Sequence, residues 1–380
     1  MSSLPRLLYF CPVAKGGIAD YAHKQAQALA AEGIEVTLLC PPEFPHAAEG
    51  YVQDRGLSTH VRAAGSRLLS RWQIVRQILK DAATLEQRVR AGGWRHVLFA
   101  TYSEYLAPLW AGRLRRLASE GVVFGAVVHD PVRDYVVGPR WWHRMSVKAG
   151  YSFLREAFLH APVELETGLN PGPRASQIPH GPYAFPDPQR SREVVRAELD
   201  IPNDVPLFLS FGHIRDGKNI DLVLRALREV PEPWLLIAGS EASPGQTPSA
   251  DYQQMAADLG VGDRVRWVVR YLDEPTVADY FEAADYALLT YSARFRSASG
   301  VLNVAAHYRK PVLVSCGASN LADVTERYEL GCRVPPDSAE AITKGLRTIL
   351  AQPPTPDWEH YHAENSWQVN ARIVRERLFQ

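Results

Sequence analysis

"YALLTYSARFRSASGVLNVAAHYRKPVLVSC", residues 286–316, contains an apolar strand, a small-residue turn, a short helix and a second apolar strand. "YALLTY" and "PVLVS" have the length and Val/Leu content of strands buried on both faces. A strand, a helix and a strand joined this tightly form a parallel βαβ unit. The turn Ser297-Ala298-Ser299-Gly300 opens directly into the helix. Backbone N–H groups at such a helix start lack partners and favour an anion.

The same rhythm extends outward from this stretch. "LFLSFG", "WLLIAGS" and "RVRWVV" precede it, with helical patterns in "IDLVLRAL" and "EPTVADYFEAA" between strands. In the first half "RLLYFCP", "EVTLLCP", "HVLFA" and "VVFGAVVHD" are further buried-strand runs. Prolines 179, 182, 186, 188, 202 and 206 punctuate the chain between the two series. The fold class read from this is α/β, as two Rossmann-like doubly wound domains. The expected division is an N-terminal domain at 1–185, a C-terminal domain at 186–356 and a terminal segment at 357–380. In that last segment Trp367, Val374 and Leu378 share one helical face, which must be buried on something. Sheets of this kind bind ligands beyond the carboxyl ends of their strands, so a cleft between the two domains is expected.

At 380 residues the chain exceeds the size of one growing core. A composition 46% hydrophobic and 22% charged is that of an ordinary globular protein. No apolar run approaches the roughly 18 residues of a membrane span. The opening "LLYFCPV" is too short and lacks a cleavage pattern for a signal peptide. Cys11, Cys40, Cys316 and Cys332 are scattered without metal-ligand spacing, so they read as small apolar residues in a reducing cytoplasm. The net charge of zero divides into +6 over residues 1–185 and −6 over 186–380. That split suits an anionic partner for the first half, or two ordinary solvated surfaces.

Three strand-to-helix junctions invite an anion. "KGGIADYA" places Gly16 and Gly17 at a helix start, where glycine lets a ligand approach the backbone and also serves a plain tight turn. "FGHIRDGKNID" satisfies G-x-x-x-x-G-K through Gly212, Gly217 and Lys218, but Asn219 stands where a phosphate loop needs Ser or Thr for its metal. Arg215 and Lys218, three apart at a strand end, suit a diphosphate as forked donor and point charge. Ser299, Gly300 and Val301 form the third junction. Together the three suggest a nucleoside diphosphate held between two domains.

His129 ends the run "VVFGAVV" and is open to a structural or a functional role. No H-E-x-x-H cluster or dinucleotide G-x-G-x-x-G occurs, so no metal or cofactor is expected. "SRLLSRWQIVRQILKDAATLEQRVR" is basic and amphipathic, and "RDYVVGPRWWHRMSVK" mixes cations with the paired tryptophans Trp141 and Trp142. Either could lie on an anionic membrane surface; the plainer reading is a solvated helix face and a packed aromatic loop. Nucleic acid is not expected, because the chain as a whole is not basic.

"GGIADYA", "VVHDP", "IPHG", "FGHIRDGKNIDLVLRAL", "YFEAADYALLTY" and "SASGVLNVAAHYRKPVL", in this order, resemble retaining GT-B glycosyltransferases of family 4, the group 1 glycosyltransferases. The resemblance covers nearly the whole chain and is strongest from Leu207 to Ser315. It implies two Rossmann-like domains facing a central cleft and a last helix crossing back to the first domain. It implies a sugar nucleotide, such as a UDP- or GDP-sugar, bound mainly by the C-terminal domain and an acceptor by the N-terminal one. Gly16 and Gly17 would lie beside the donor phosphates and His129 near the transferred sugar. Lys218 would bind phosphate, Arg270 would border the base, and Ser299 to Val301 would offer amides to the diphosphate. Two departures stand out. His213 replaces the usual Arg after the strand-end glycine, so Arg215 is proposed in its place. Arg296 and Val304 occupy positions where many members carry glutamate.

The function this implies is retaining, metal-independent transfer of a hexosyl-type group from a nucleotide-diphosphate donor to an acceptor hydroxyl. The setting would be cytoplasmic, with the inner membrane face as an option, in surface polysaccharide or glycoconjugate assembly. Glycan, lipid-linked and small-molecule acceptors all fit. Rival readings are a P-loop-like NTPase, a non-catalytic nucleotide- or glycan-binding subunit and a sugar-nucleotide epimerase.

Overall fold

The computed structural model describes residues 4–59, 67–129, 138–182, 185–242, 245–295 and 299–380. Its contacts divide the chain into two compact units, Met1–His180 with Ser366–Gln380, and Gly181–Asn365. The division expected at 185/186 falls five residues after the observed one, and that expected at 356/357 falls nine residues before the return at Ser366, because the helix Trp358–Glu364 stays with the second unit.

The first unit is built on β1 (Arg6–Phe10), β2 (Glu35–Leu39), β3 (Val52–Asp54), β4 (His96–Phe99), β5 (Val123–Val128), β6 (Glu156–Leu159) and β7 (Arg174–Gln177). They form a seven-stranded sheet in the order β3-β2-β1-β4-β5-β6-β7, with every pairing parallel. The second unit contains β8 (Leu207–Phe211), β9 (Trp234–Gly239), β10 (Val265–Val269), β11 (Tyr286–Thr290), β12 (Val312–Ser315) and β13 (Gly331–Val334). These form a six-stranded parallel sheet ordered β10-β9-β8-β11-β12-β13. Both sheets are therefore doubly wound, reversing direction between β1 and β4 and between β8 and β11. Ligands of such sheets bind at these switch points, beyond the strands' carboxyl ends.

The opening stretch folds as read. β11 and β12 pair in parallel, Ala287 opposite Val312 and Leu288 opposite Leu313, around the helix Gly300–His307. Leu289 and Val314 face one apolar cluster and Leu288 and Leu313 the other, which is why both strands are continuously apolar.

The terminal segment forms two helices. Trp358–Glu364 belongs to the second unit, with Tyr361 buried edge-on against Tyr328. Trp367–Leu378 belongs to the first unit and buries Trp367, Val374 and Leu378. Gly125 of β5 makes room for this helix: a Cβ there would stand 2.9 Å from Leu378 Cδ1. A buried polar tie reinforces the docking. Asn370 Oδ1 accepts from Gln25 Nε2 at 2.7 Å, while its Nδ2 donates to the Tyr21 hydroxyl and the Pro179 carbonyl, each at 2.8 Å.

Trp141 and Trp142 do not sit in a packed loop. They open the helix Arg140–Tyr151, with Trp141 65% exposed and the Trp142 indole donating to the Tyr105 carbonyl. Residues 130–137, which end "VVFGAVVHD" and begin "RDYVVGPRWWHRMSVK", lie outside the described residues. Among the described residues no helix is long and apolar enough to cross a membrane.

Candidate functional site

In the second unit Arg215, Lys218 and Ser299–Val301 lie around the switch point between β8 and β11. β8 ends at Phe211, and Gly212 turns the chain at φ +93°. A Cβ on Gly212 would meet Lys218 Nζ at 3.3 Å and Val301 Cγ2 at 3.8 Å. The strand end, the ammonium and the helix start thus converge on one point. Close packing behind them explains Gly239, where a Cβ would stand 2.3 Å from the Gly212 carbonyl oxygen.

Lys218 is not a solvated surface cation. It is buried, and its ammonium donates to the Phe211 carbonyl. Burial, reinforced by the neighbouring Arg215 cation, pushes its pKa down to about 7. Among the described residues no carboxylate offsets this buried ammonium and the cation beside it, and an anionic ligand would supply that counter-charge. Arg215 is exposed in the same loop, immediately before the single turn Asp216–Lys218.

The loop's shape depends on partners that sequence reading did not identify. Asn219 adopts φ +52°, and its Nδ2 donates to Asp337 Oδ1 at 2.9 Å. Asp337 Oδ2 also accepts from Ala293 N at 3.0 Å, tying the β8 and β11 turns together. Thr290 Oγ1 donates to the Lys218 carbonyl at 2.9 Å, and Ser292 N donates to Gly217 O at 3.0 Å. Asn219 is thus committed to Asp337, in the position where a phosphate loop would present its metal-ligating hydroxyl.

Ser299 caps the helix Gly300–His307: its Oγ accepts from Leu302 N at 3.3 Å and contacts the Tyr291 hydroxyl at 3.0 Å. Helix geometry leaves the Gly300 and Val301 N–H groups without intrahelical acceptors. Open space flanks Gly300, since a Cβ there would meet nothing within 4 Å. Tyr291, stacked on Phe295 with ring centroids 4.0 Å apart, braces the turn from behind. Only its spacing of eight residues before Ser299 could have signalled this role. Val304 faces the apolar core, so the side chain at this glutamate position contributes packing and no charge. Arg296, the other such position, lies outside the described residues. Arg270 follows β10, where its backbone N–H donates to Gly239 O at 3.1 Å and its side chain is exposed. That places it two strands from β8, along the same sheet edge.

In the first unit Gly16, at φ +81°, precedes the helix Gly17–Ala31, and a Cβ on either glycine would meet nothing within 4 Å. His129 follows β5, with its Nε2 3.1 Å from the Ala100 carbonyl. A carbonyl only accepts, so Nε2 carries the proton and Nδ1 is left as the acceptor. Burial pushes the His129 pKa down to about 4, so the ring is neutral near pH 7. Tyr21, on the helix that Gly16 opens, meets the rings of His129, His160 and His180 at 4.8, 5.3 and 5.2 Å. This histidine cluster joins residues about 30 and 50 positions apart in sequence, and no local motif marks it. Among the described residues no His, Cys, Asp or Glu cluster has the makings of a metal site.

Residues 191–366 match the family described as glycosyl transferases group 1. The D-inositol 3-phosphate glycosyltransferase of Mycolicibacterium smegmatis is 31% identical over 105 residues, 28% of this chain and 24% of its own length. That of Mycobacteroides abscessus is 27% identical over 162 residues, 42% of this chain and 35% of its own. The aligned region thus spans only about a quarter to a third of these curated relatives. Among solved structures, a glycosyltransferase from Rickettsia africae superposes with TM-score 0.67 at 14% identity, covering 99% of both chains. Anabaena HepE in complex with UDP and glucose gives TM-score 0.63 at 14% identity, over 98% of this chain and 95% of that one. The sucrose-phosphate synthase of Thermosynechococcus elongatus gives 0.63 at 20% identity, over 99% and 95%. Residues 191–366 are therefore a glycosyl transferases group 1 domain, carried by a chain with the two Rossmann-like domains of the GT-B fold.

Proposed function

We propose that the chain is a retaining glycosyltransferase that moves a sugar from a nucleoside-diphosphate donor to an acceptor hydroxyl. The observation that carries this reading is the buried Lys218 beside Arg215, without a carboxylate partner among the described residues, and the open helix start at Gly300–Val301. The donor's diphosphate sits against these groups, with Arg270 toward the base and a UDP- or GDP-sugar as the expected class. In the transfer the bond from the anomeric carbon to the phosphate oxygen breaks and the acceptor oxygen bonds to that carbon on the same face. The acceptor proton leaves on the diphosphate. Lys218, Arg215 and the two amides stabilise negative charge where it develops, and no metal is assigned a part in this step. Neutral His129 presents an acceptor nitrogen suited to a sugar hydroxyl.

The acceptor side is proposed to work at the inner face of a membrane in glycan or glycoconjugate assembly. Arg140, Trp141, Arg144, Met145 and Lys148 line one exposed stripe of the helix Arg140–Tyr151, cations beside apolar side chains. Such a stripe suits an anionic lipid surface.

A thermal-shift screen with UDP, GDP, ADP and their sugars tests the donor reading, because a tightly bound ligand raises apparent stability. The expected outcome is stabilisation by one diphosphate that Lys218→Ala removes. Sugar-nucleotide turnover that needs no acceptor would instead indicate an epimerase. Binding without turnover across an acceptor panel would indicate a non-catalytic subunit, and Lys218-dependent ATP hydrolysis an NTPase.

A further inference from the structure

Asn219 at φ +52° and Asp337 at φ +56° both carry a side chain in the left-handed region, and they meet although 118 positions apart in sequence. That region disfavours a Cβ, and residues persist in it where their surroundings hold them there. Neither side chain serves as a helix cap. Asn219 precedes the helix Ile220–Glu229 without a side-chain cap bond, although asparagine is among the best capping residues. Asp337 stands one place before Ser338, whose Oγ caps the helix Ala339–Ala351 by accepting from Ala341 N at 3.1 Å. The two side chains are instead committed to each other, Asn219 Nδ2 donating to Asp337 Oδ1 at 2.9 Å.

This contact joins the starts of two adjoining helices. Ile220, Leu224 and Leu227 share an apolar cluster with Ile342, Leu346 and Ile349, and Arg347 donates to the Glu229 carbonyl at 2.9 Å. Lys218 lies one residue before Asn219. The other carboxylate oxygen of Asp337 accepts from Ala293 N at 3.0 Å, in the turn that leaves β11 toward Ser299. One side chain thus fixes the turn carrying Lys218 against the turn leading to the helix Gly300–His307. Thr290 and Ser292 bond the first of these turns directly, so its place in the fold has support of its own. Asp337 adds a tie from beyond β13, two strands past β11. Charge alone argues against a carboxylate here: Asp337 is exposed, and a negative charge near an anion site weakens anion binding.

We propose that Asp337 is a positioning residue of the donor site, holding the Lys218 turn and the turn toward Ser299 in the register in which both meet one diphosphate. This rests on the transferase reading and adds a residue to its site. Asp337 acts through Asn219 and Ala293 and not by touching the donor. An ammonium and a helix start must reach the same pair of phosphates, so a shift of about 1 Å between the turns loses affinity and turnover together.

The test measures binding of UDP, GDP and ADP in turn to the intact chain by calorimetry, with thermal unfolding recorded alongside. Glycine takes a positive φ without strain, so Asp337→Gly keeps the backbone at this position and removes only the carboxylate. It should weaken whichever diphosphate the wild type binds by about tenfold or more, with the melting temperature within a few degrees. Loss of a negative charge by itself would tighten anion binding, so the sign of the change separates positioning from plain electrostatics. Asp337→Asn keeps one acceptor oxygen for Asn219 but turns an N–H₂ toward Ala293 N, so it should recover part of the affinity. Asn219→Gly should also weaken binding, and adding Asp337→Gly to it should cost far less than Asp337→Gly does alone, because the two side chains form one contact. The proposal is overturned if folded Asp337→Gly binds as tightly as wild type or more tightly, or if the two substitutions add in full. Should Asp337→Gly fail to fold, wild-type affinity in Asp337→Asn overturns it equally. Lys218-dependent binding that these variants leave unchanged sinks the positioning role alone. Absence of Lys218-dependent binding in the wild type sinks the donor reading, and the role of Asp337 with it.

Discussion

Lys218 is the titratable group on which the proposed donor site of the second unit depends. Its folded pKa of about 7 lies below the ordinary lysine value, so the unfolded chain binds more protons between about pH 7 and 10.5. This group's contribution to stability therefore rises with pH through that window. Donor binding should run the other way. In the proposed site the diphosphate meets the ammonium form, so above pH 7 its binding would take up a proton. Donor affinity is expected to fall by up to about tenfold per pH unit from 7 to 9, as measured by calorimetry. Lys218→Arg, which stays charged, should flatten that profile. Should the wild-type profile already be flat, the ammonium is not the group that meets the phosphate. Lys218→Ala and Arg215→Ala are each expected to lower kcat about 100-fold or more, the scale of a lost preorganised charge contact. Normal transfer by both variants would remove the diphosphate assignment.

Two short helices carry predictions at the scale of the element. Ser299 caps Gly300–His307 while touching Tyr291, so Ser299→Ala loses the cap and the brace together. The expected cost is about 1 kcal/mol of stability, read from thermal unfolding, with weaker diphosphate binding as the helix start loosens. Unchanged binding in that variant would mean that the helix start does not face the ligand. The helix Arg140–Tyr151 buries Val147, Ala149 and Tyr151 and exposes its Trp141–Met145 stripe. Replacing Trp141 and Met145 by Ser should abolish co-sedimentation with phosphatidylglycerol vesicles while leaving the melting temperature within a few degrees. Equal co-sedimentation of wild type and variant would remove the proposed lipid contact.

Across the whole molecule, the chain enters the second unit at Gly181 and returns to the first at Ser366. The return is secured by Asn370, which meets Gln25, Tyr21 and the Pro179 carbonyl in a fully buried setting. Asn370→Ala should destabilise the first unit by about 1–3 kcal/mol, because buried polar partners are left unsatisfied. Hydrogen exchange should then quicken in the helices Gly17–Ala31 and Trp367–Leu378 and not in the second sheet. Uniform acceleration in both units would show that they unfold as one.

Fold and site were legible to different degrees, for physical reasons. Continuous apolar runs between helical patterns determine a parallel, doubly wound sheet, because only strands covered on both faces tolerate them. Small-residue turns at strand ends likewise mark where backbone amides lie open, so Gly16, Lys218 and Ser299–Val301 could be singled out from local spacing. The aromatic Trp141–Trp142 pair was misread because a period of a few residues cannot tell a packed loop from a helix with an exposed face. Asp337 bracing Asn219 and Ala293, and the Tyr21–His129–His160–His180 cluster, join residues distant in sequence that only the packed sheets bring together. Sequence by itself determined the periodicity and the turns, which are local. Which charges are buried was decided by tertiary packing, because desolvation depends on neighbours from the whole chain.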